Sequence, residues 1–404
     1  MQGDLMDKKV IYLDNNATTA VAPEVFTAMQ PYFCERYGNP SSIHRFGGSV
    51  AADIEKARCQ VAELLGAGFR DKEGHATEII FTSCGTEGDN AAINAALNAL
   101  PERKKIVTTA VEHPAVLHYC EELSRRGFTV ELIGVDRNGR LDMAALQNAV
   151  DENTAIVSAM WGNNETGVIF PVAEIAAIAH ARGAYFHTDA VQAAGKVEIN
   201  VEKAGIDFLS LSGHKLHAPK GVGALYVRRG IIFSPLICGG HQERNRRGGT
   251  ENTASIIGLG KACEIAKANL AEEYRNLKQM RDAFEARLLQ SIPRICINGA
   301  SEDRLPGTSS VSFECIEGES ILMLLDVLGI CASSGSACTT GSLEPSHVLR
   351  AMGVPYSSAH GTIRFSLSRY NTPDELDFVA EKLPPIIARL REISPYWEEN
   401  SNGK

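Results

Sequence analysis

Apolar positions in the middle of this chain fall in short runs of four to six residues, each set off by polar residues and turn formers. "EIIFTS" (78–83), "KIVTTA" (105–110), "TVELIGV" (129–135), "TAIVSAM" (154–160), "AYFHTDA" (184–190), "DFLSLS" (207–212) and "GALYVRR" (223–229) read as strands. Between them, "DNAAINAALNAL", "PAVLHYCEELSRRG" and "PVAEIAAIAHARG" repeat at helical spacing, the last two closing on Gly127 and Gly183. Strand–helix alternation with nearly continuous apolar strands predicts an α/β fold whose mostly parallel sheet is covered on both faces.

The pattern changes after residue 250. Residues 253–290 read as one long helix or two abutting ones, leading out of the large domain. Beyond them "TSSVSFEC", "GICAS" and "GTIRFSLSRY" are strand-like, while "EGESILMLLDVLG" and "TPDELDFVAEKLPPIIARLREI" are helical. That mixture predicts a smaller α+β domain. Neither internal repeats nor low-complexity linkers interrupt the chain.

Composition narrows the classes. The 404 residues are 44% hydrophobic and 22% charged, ordinary for a globular chain with ample core. A formal net charge of −9 argues against nucleic-acid and anionic-membrane partners. No apolar run approaches a membrane span. The start, "MQGDLMDKKVIYLDNN", carries charges where a secretion segment would be apolar, so a cytoplasmic protein is expected; Met6 offers a second start, with residues 1–5 as an extension. The ten cysteines contain no C-x2-C pair, which excludes a zinc ribbon, and no metal site is expected. Reduced thiols, mostly buried as small apolar residues, are the expectation.

In an open parallel sheet, ligands gather at the carboxyl ends of the strands. Four such ends carry chemistry. "SLSGHK" supplies Ser212, His214 and Lys215; "FHTDAVQ" supplies Asp189 and Gln192. "FTSCGTEGDN" places Gly85 and Thr86 at a helix start, where free N–H groups favour phosphate, and "VEHPAV" places His113 at another. Each is weak alone, and from local sequence Asp189 could equally be a helix cap. Together they match the needs of pyridoxal 5'-phosphate: an amine for a Schiff base, a carboxylate for the ring nitrogen, a phosphate cradle and a ring to stack on. In "IRFSLS", Arg364 alternates with apolar neighbours, so it lies opposite the core face; its fork suits a carboxylate, though local sequence alone favours a surface salt bridge for it.

With these come "YLDNNATT" (12–19), "YGNPSSIH" (37–44), "EHP" (112–114), "NNETG" (163–167), "HTDAVQAAGK" (187–196), "SGHKLHAPKG" (212–221), "RRGGTEN" (246–252) and "SSGSACTTGSLEPSHVLRAMG" (333–353). In this set and order the chain resembles the cysteine desulfurases, most of all the NifS type that serves nitrogenase clusters, and it is also similar to the housekeeping IscS type. The resemblance covers residues 10 to 397.

It implies the aspartate-aminotransferase-like transferase fold (type I), with residues 22–270 as the cofactor domain. Residues 1–21 and 271–404 would form the small domain, bearing a mobile loop at about 331–345. It implies that Lys215 holds the cofactor, Asp189 faces the ring nitrogen, Gln192 bonds the ring hydroxyl, and His113 stacks on the ring and moves protons. Gly85, Thr86, Ser212 and His214 would bind the phosphate, and Thr250 the phosphate of a partner subunit, hence a homodimer. Asn164 and Arg364 would hold the carboxylate of L-cysteine. Cys338, among small residues, would take its sulfur as a persulfide and pass it to an iron–sulfur scaffold or another acceptor. Selenocysteine lyase or another C–S lyase on the same fold is the rival reading. "CGTEGDN" departs mildly from the usual family sequence after the threonine, and Cys331 is an extra thiol near Cys338.

Overall fold

The computed structural model describes residues 10–334 and 345–397. Cys338 and most of its loop lie outside the described residues.

All seven expected central strands are present in one sheet. Across it run Ile79–Thr82, Gly223–Val227, Phe208–Ser212, Tyr185–Asp189, Thr154–Ser158, Lys105–Thr109 and Thr129–Ile133. Only Gly223–Val227 opposes its neighbours; the other six point the same way. Successive side chains of a strand point to opposite faces. Here both sets are apolar, so Ile80, Ile106, Ile156 and Phe208 join one core, with Ala92, Ile93 and Val116 from the helices Gly85–Ala99 and Pro114–Arg125. Ile79, Phe81, Val107, Val157 and Leu209 join the other, which is larger.

A separate core gathers Ile11, Leu13, Leu277, Phe284, Val311, Phe313, Ile363, Phe365 and Leu383. It packs against a four-stranded antiparallel sheet ordered Ser333–Ser334, Thr362–Ser366, Thr308–Phe313, Ile295–Ile297. The expected strand at 329–333 is split: Ile330–Cys331 pairs in parallel with Ile11–Tyr12, and only Ser333–Ser334 joins the larger sheet. The helix Pro373–Ile393 continues through Pro384 and Pro385, which would ordinarily end it. Leu376, Val379, Leu383 and Ile387, buried on both sides of the prolines, hold it together by packing.

One helix joins the two cores. Thr253–Ser291 runs unbroken for 39 residues, about 58 Å at the usual rise. Ile256, Leu259, Cys263 and Ala266 on its first half belong to the large core, and Leu277, Phe284 and Leu288 on its second half to the small one. A second link was not expected: Val348 in the helix His347–Ala351, and Met352 directly after it, pack into the large core. Among the described residues, no helix is long and apolar enough to cross a membrane.

The cysteines are less buried than composition suggested. Of the nine described, only Cys120 and Cys263 are buried, and burial pushes both thiols up to about 12; Cys34, Cys238 and Cys296 are exposed. Solvent exposure tolerates a small, weakly polar side chain as readily as a core does, so residue type alone could not place them.

Gly361 opens the strand that carries Arg364, and a Cβ there would stand 2.0 Å from the carbonyl oxygen of Phe313. Gly361→Ala should therefore push apart the strands Thr308–Phe313 and Thr362–Ser366. The expected loss is about 1–3 kcal/mol in urea unfolding; an unchanged midpoint would mean the pair can spread at no cost.

Candidate active site

Because six strands share a direction, their carboxyl ends meet along one edge of the sheet. A cleft of about 670 Å³ opens there. Ten expected residues line it: Gly85, Thr86, His113, Asn164, Asp189, Gln192, Ser212, His214, Lys215 and Arg364. Thr250 is exposed and does not line this cleft.

Each side chain is set by the element that ends beside it. Asp189 is the last residue of its strand, with Oδ1 accepting from the Val191 N–H at 2.8 Å, so it caps a turn and lines the cleft at once. Burial, and then the neighbouring Asp89, push its carboxyl up to about 7, against the opposing pull of His113. Lys215 ends the short 3-10 turn Gly213–Lys215 that follows the strand Phe208–Ser212. Its Nζ donates to the backbone carbonyls of Asn16 at 2.5 Å and Ala17 at 2.7 Å.

His113 caps the helix Pro114–Arg125, its Nδ1 accepting from the Ala115 N–H at 3.1 Å. A neutral ring whose Nδ1 accepts carries its proton on Nε2. Burial first, and the charge of Lys215 among others, hold the His113 pKa below its ordinary value even though Asp189 pulls it up. Burial and the charge of Lys215 push His214 down to about 4. Both rings are therefore neutral near pH 7.

The helix Gly85–Ala99 begins without a side-chain cap, leaving its first N–H groups to the cleft. Gly85 is required there by space, since a Cβ would come 2.7 Å from Val191 Cγ2. Arg364 is 3% exposed, which rules out the surface salt bridge. Its Nη2 pairs with Asp14 Oδ1 at 3.0 Å, its Nη1 donates to the Asn164 carbonyl at 3.1 Å, and its Nε is buried without a partner among the described residues.

These features fit pyridoxal phosphate. A buried carboxylate raised toward neutrality gains most from a protonated ring nitrogen. The uncapped helix start with Thr86, Ser212 and His214 around the same cleft suits a phosphate, and Lys215 supplies the amine.

Sequence reasoning missed three parts of the site. The segment 14–19 wraps over the Lys215 turn: Thr19 N–H donates to the His214 carbonyl at 2.9 Å, and His217 N–H donates to Thr19 Oγ1 at 2.9 Å. The polar run "DNNATT" directly after an apolar strand was its available signal. Lys196 reaches Gln192, four residues before it. Glu165 accepts from Ser346 Oγ at 2.5 Å and, being buried, has its carboxyl pushed up to about 7; nothing local marked that pairing, which spans 181 residues.

The family model of the class-V aminotransferases matches residues 11–379, so the chain belongs to the class-V aminotransferase family and is a pyridoxal-phosphate-dependent enzyme. It is 55% identical over 390 residues to the cysteine desulfurase NifS of Azotobacter vinelandii, covering 96% of each chain. It is 57% identical over 395 residues to a cysteine desulfurase of Gluconacetobacter diazotrophicus, covering 98% of this chain and 97% of that one. Among solved structures, a NifS-like protein superposes with a TM-score of 0.87 at 39% identity, over 95% of this chain and all of the other.

Beside His113, Glu112 is fully buried, accepting at Oε1 from Thr109 Oγ1 at 2.7 Å and from the Met160 N–H at 2.9 Å. Burial pushes its carboxyl from 4.5 up to about 8. A carboxyl raised by folding binds its proton more tightly in the folded chain, so it costs stability as pH rises from the unfolded value through the folded one. Glu112→Gln removes that loss. The melting temperature of the variant relative to wild type should climb from pH 5 to pH 8 and then level off. A difference that does not vary with pH would assign the folded protein an ionised Glu112.

Proposed function

We propose that this enzyme is a cysteine desulfurase that converts L-cysteine to L-alanine and carries the released sulfur as a persulfide on Cys338. The observation that carries the reading is one cleft joining Lys215, Asp189, His113 and buried Arg364, in a chain 55% identical end to end to a NifS desulfurase.

Bound pyridoxal phosphate supplies an electron sink next to the substrate's α-carbon. The chain's own residues do the rest. Arg364, lining the cleft, offers its guanidinium to the substrate carboxylate, with the Asn164 carbonyl and Asp14 holding the group in place. Lys215, as the free amine, removes the α-proton. Neutral His113, with its proton on Nε2, hands protons between substrate and thiol. The thiolate of Cys338 attacks the substrate sulfur. The carbon–sulfur bond breaks as the sulfur–sulfur bond forms, and protons return to carbon, leaving alanine with no net oxidation or reduction.

Thr250 stands outside its own chain's cleft. We assign it to the cofactor phosphate of a second subunit, which makes the active unit a homodimer. Exposed Phe26, Phe33, Ile43 and Phe46 offer apolar area for such an interface. The acceptor is an iron–sulfur scaffold protein of nitrogenase or housekeeping assembly, in the cytoplasm, and the similarity to NifS favours the nitrogenase role.

Purified enzyme given L-cysteine and a thiol reductant should release alanine and sulfide in equal amounts; no alanine would reject the activity. Faster turnover of L-selenocysteine, with little on L-cysteine, would favour the lyase instead. Cys338→Ser should keep the cofactor absorbance and lose sulfide release, whereas Lys215→Ala should lose the absorbance itself. Arg364→Lys keeps the charge but not the fork. Its KM for L-cysteine should rise about 10- to 100-fold, the range expected for a lost charge-assisted hydrogen bond, and an unchanged KM would place the carboxylate elsewhere.

A further inference from the structure

Lys196 follows Gln192 by one turn of chain and sits behind the cleft wall rather than in it. Its Nζ donates to Gln192 Oε1 at 2.8 Å and to Asn16 Oδ1 at 3.2 Å. Gln192 Nε2 in turn donates to the Asn16 backbone carbonyl at 2.9 Å, the same oxygen that accepts from Lys215 Nζ. The Asn16 amide nitrogen donates the other way, to Thr308 Oγ1 at 2.9 Å and the Asn164 carbonyl at 3.1 Å. One ammonium thus orients two side-chain amides on the cleft wall.

Among the described residues Lys196 forms no ion pair. Loss of hydration, and beyond it the charges of Lys215 and Arg364, pull its pKa down to about 7. A partly buried cation without a counter-ion is costly, so packing alone is a poor reason for a lysine here.

We propose that Lys196 is a positioning residue of the cofactor site, locking the Gln192 amide with its oxygen toward Lys196 and its N–H donors toward the cleft. The inference rests on the reading that pyridoxal phosphate binds here with its ring hydroxyl against Gln192. In the structure Lys196 Nζ is the donor and Gln192 Oε1 the acceptor, and in its ammonium form, which has donors only, Lys196 admits no other arrangement. A flipped amide would face N–H against N–H at Lys196 and present an oxygen to the ring oxygen. Asn16 O takes one Nε2 hydrogen, leaving the second to donate to that ring oxygen, where negative charge needs a donor.

The test is a pH titration of the visible absorbance of the holoenzyme in wild type, Lys196→Met, Gln192→Ala and the double variant. Loss of a donor to the anionic ring oxygen makes the bound cofactor hold its proton more tightly. Lys196→Met should raise the titration midpoint by about one pH unit, tenfold in proton affinity. Gln192→Ala should raise it similarly, and the double variant should go little further, because the two act through one contact. Lys196→Leu, which also lacks a donor, serves equally if the methionine variant does not accumulate. A variant that titrates as wild type, or shifts that add in full, overturns the role of Lys196 while leaving the cofactor reading intact. Wild-type protein that shows no such absorbance after incubation with pyridoxal phosphate overturns both.

Discussion

The site depends first on strand direction. Six of the seven central strands run the same way, which requires each to be joined to the next by a crossover over a sheet face and covers both faces with helices. The consequence is geometric. Every strand that ends in a polar residue delivers it to the same edge, so Thr86, His113, Asp189 and Lys215, up to 129 positions apart, line one cleft. The reversed strand Gly223–Val227 spoils nothing, because it follows the Lys215 turn and only returns along the sheet.

What closes the cleft comes from elsewhere in the chain. The segment 14–19 lies over the Lys215 turn and offers its backbone carbonyls, while Ser366 Oγ and the Ser366 carbonyl meet Asn16 and Asn15 from the four-stranded antiparallel sheet. Arg364, two residues earlier on that strand, reaches the same segment at Asp14. The four-stranded antiparallel sheet therefore contributes to the site through a strand edge, and the unbroken helix Thr253–Ser291 links its core to that of the central sheet. The helix His347–Ala351 ties the far end of the Cys338 loop to the large core, with Ser346 on Glu165 and His347 Nε2 on the Glu112 carbonyl at 2.9 Å.

Burial sets the charge pattern of the cleft. Asp189, Asp89, Glu112 and Glu165 are all pushed toward or past neutral pH, and His113 and His214 are held neutral. A cavity so poor in settled negative charge leaves the basic side chains Lys215 and Arg364 on its wall unopposed by most of its carboxyls, which matches an anionic ligand carrying phosphate and carboxylate. No one of these shifts follows from residue type. Each reflects how little water the fold leaves around a group.

The central strands, the long helix and the small-domain strands were legible in the amino-acid order because burial on both faces forces apolar runs with sharp ends. Chemistry at those ends was legible for the same reason. Where a residue answers to a distant partner, the sequence was silent: the split of 329–333 between two sheets, the passage of a helix through Pro384 and Pro385, the burial of only two of the nine described cysteines. The sequence by itself determined the fold class and which polar side chains stand at the strand ends, since periodicity and residue type are local properties. Only tertiary structure decided that Lys196 and Asn16 bond Gln192, that Arg364 is buried, and that Thr250 is exposed and does not line the cleft. Those depend on contacts across as many as 350 residues, and such contacts leave no local mark.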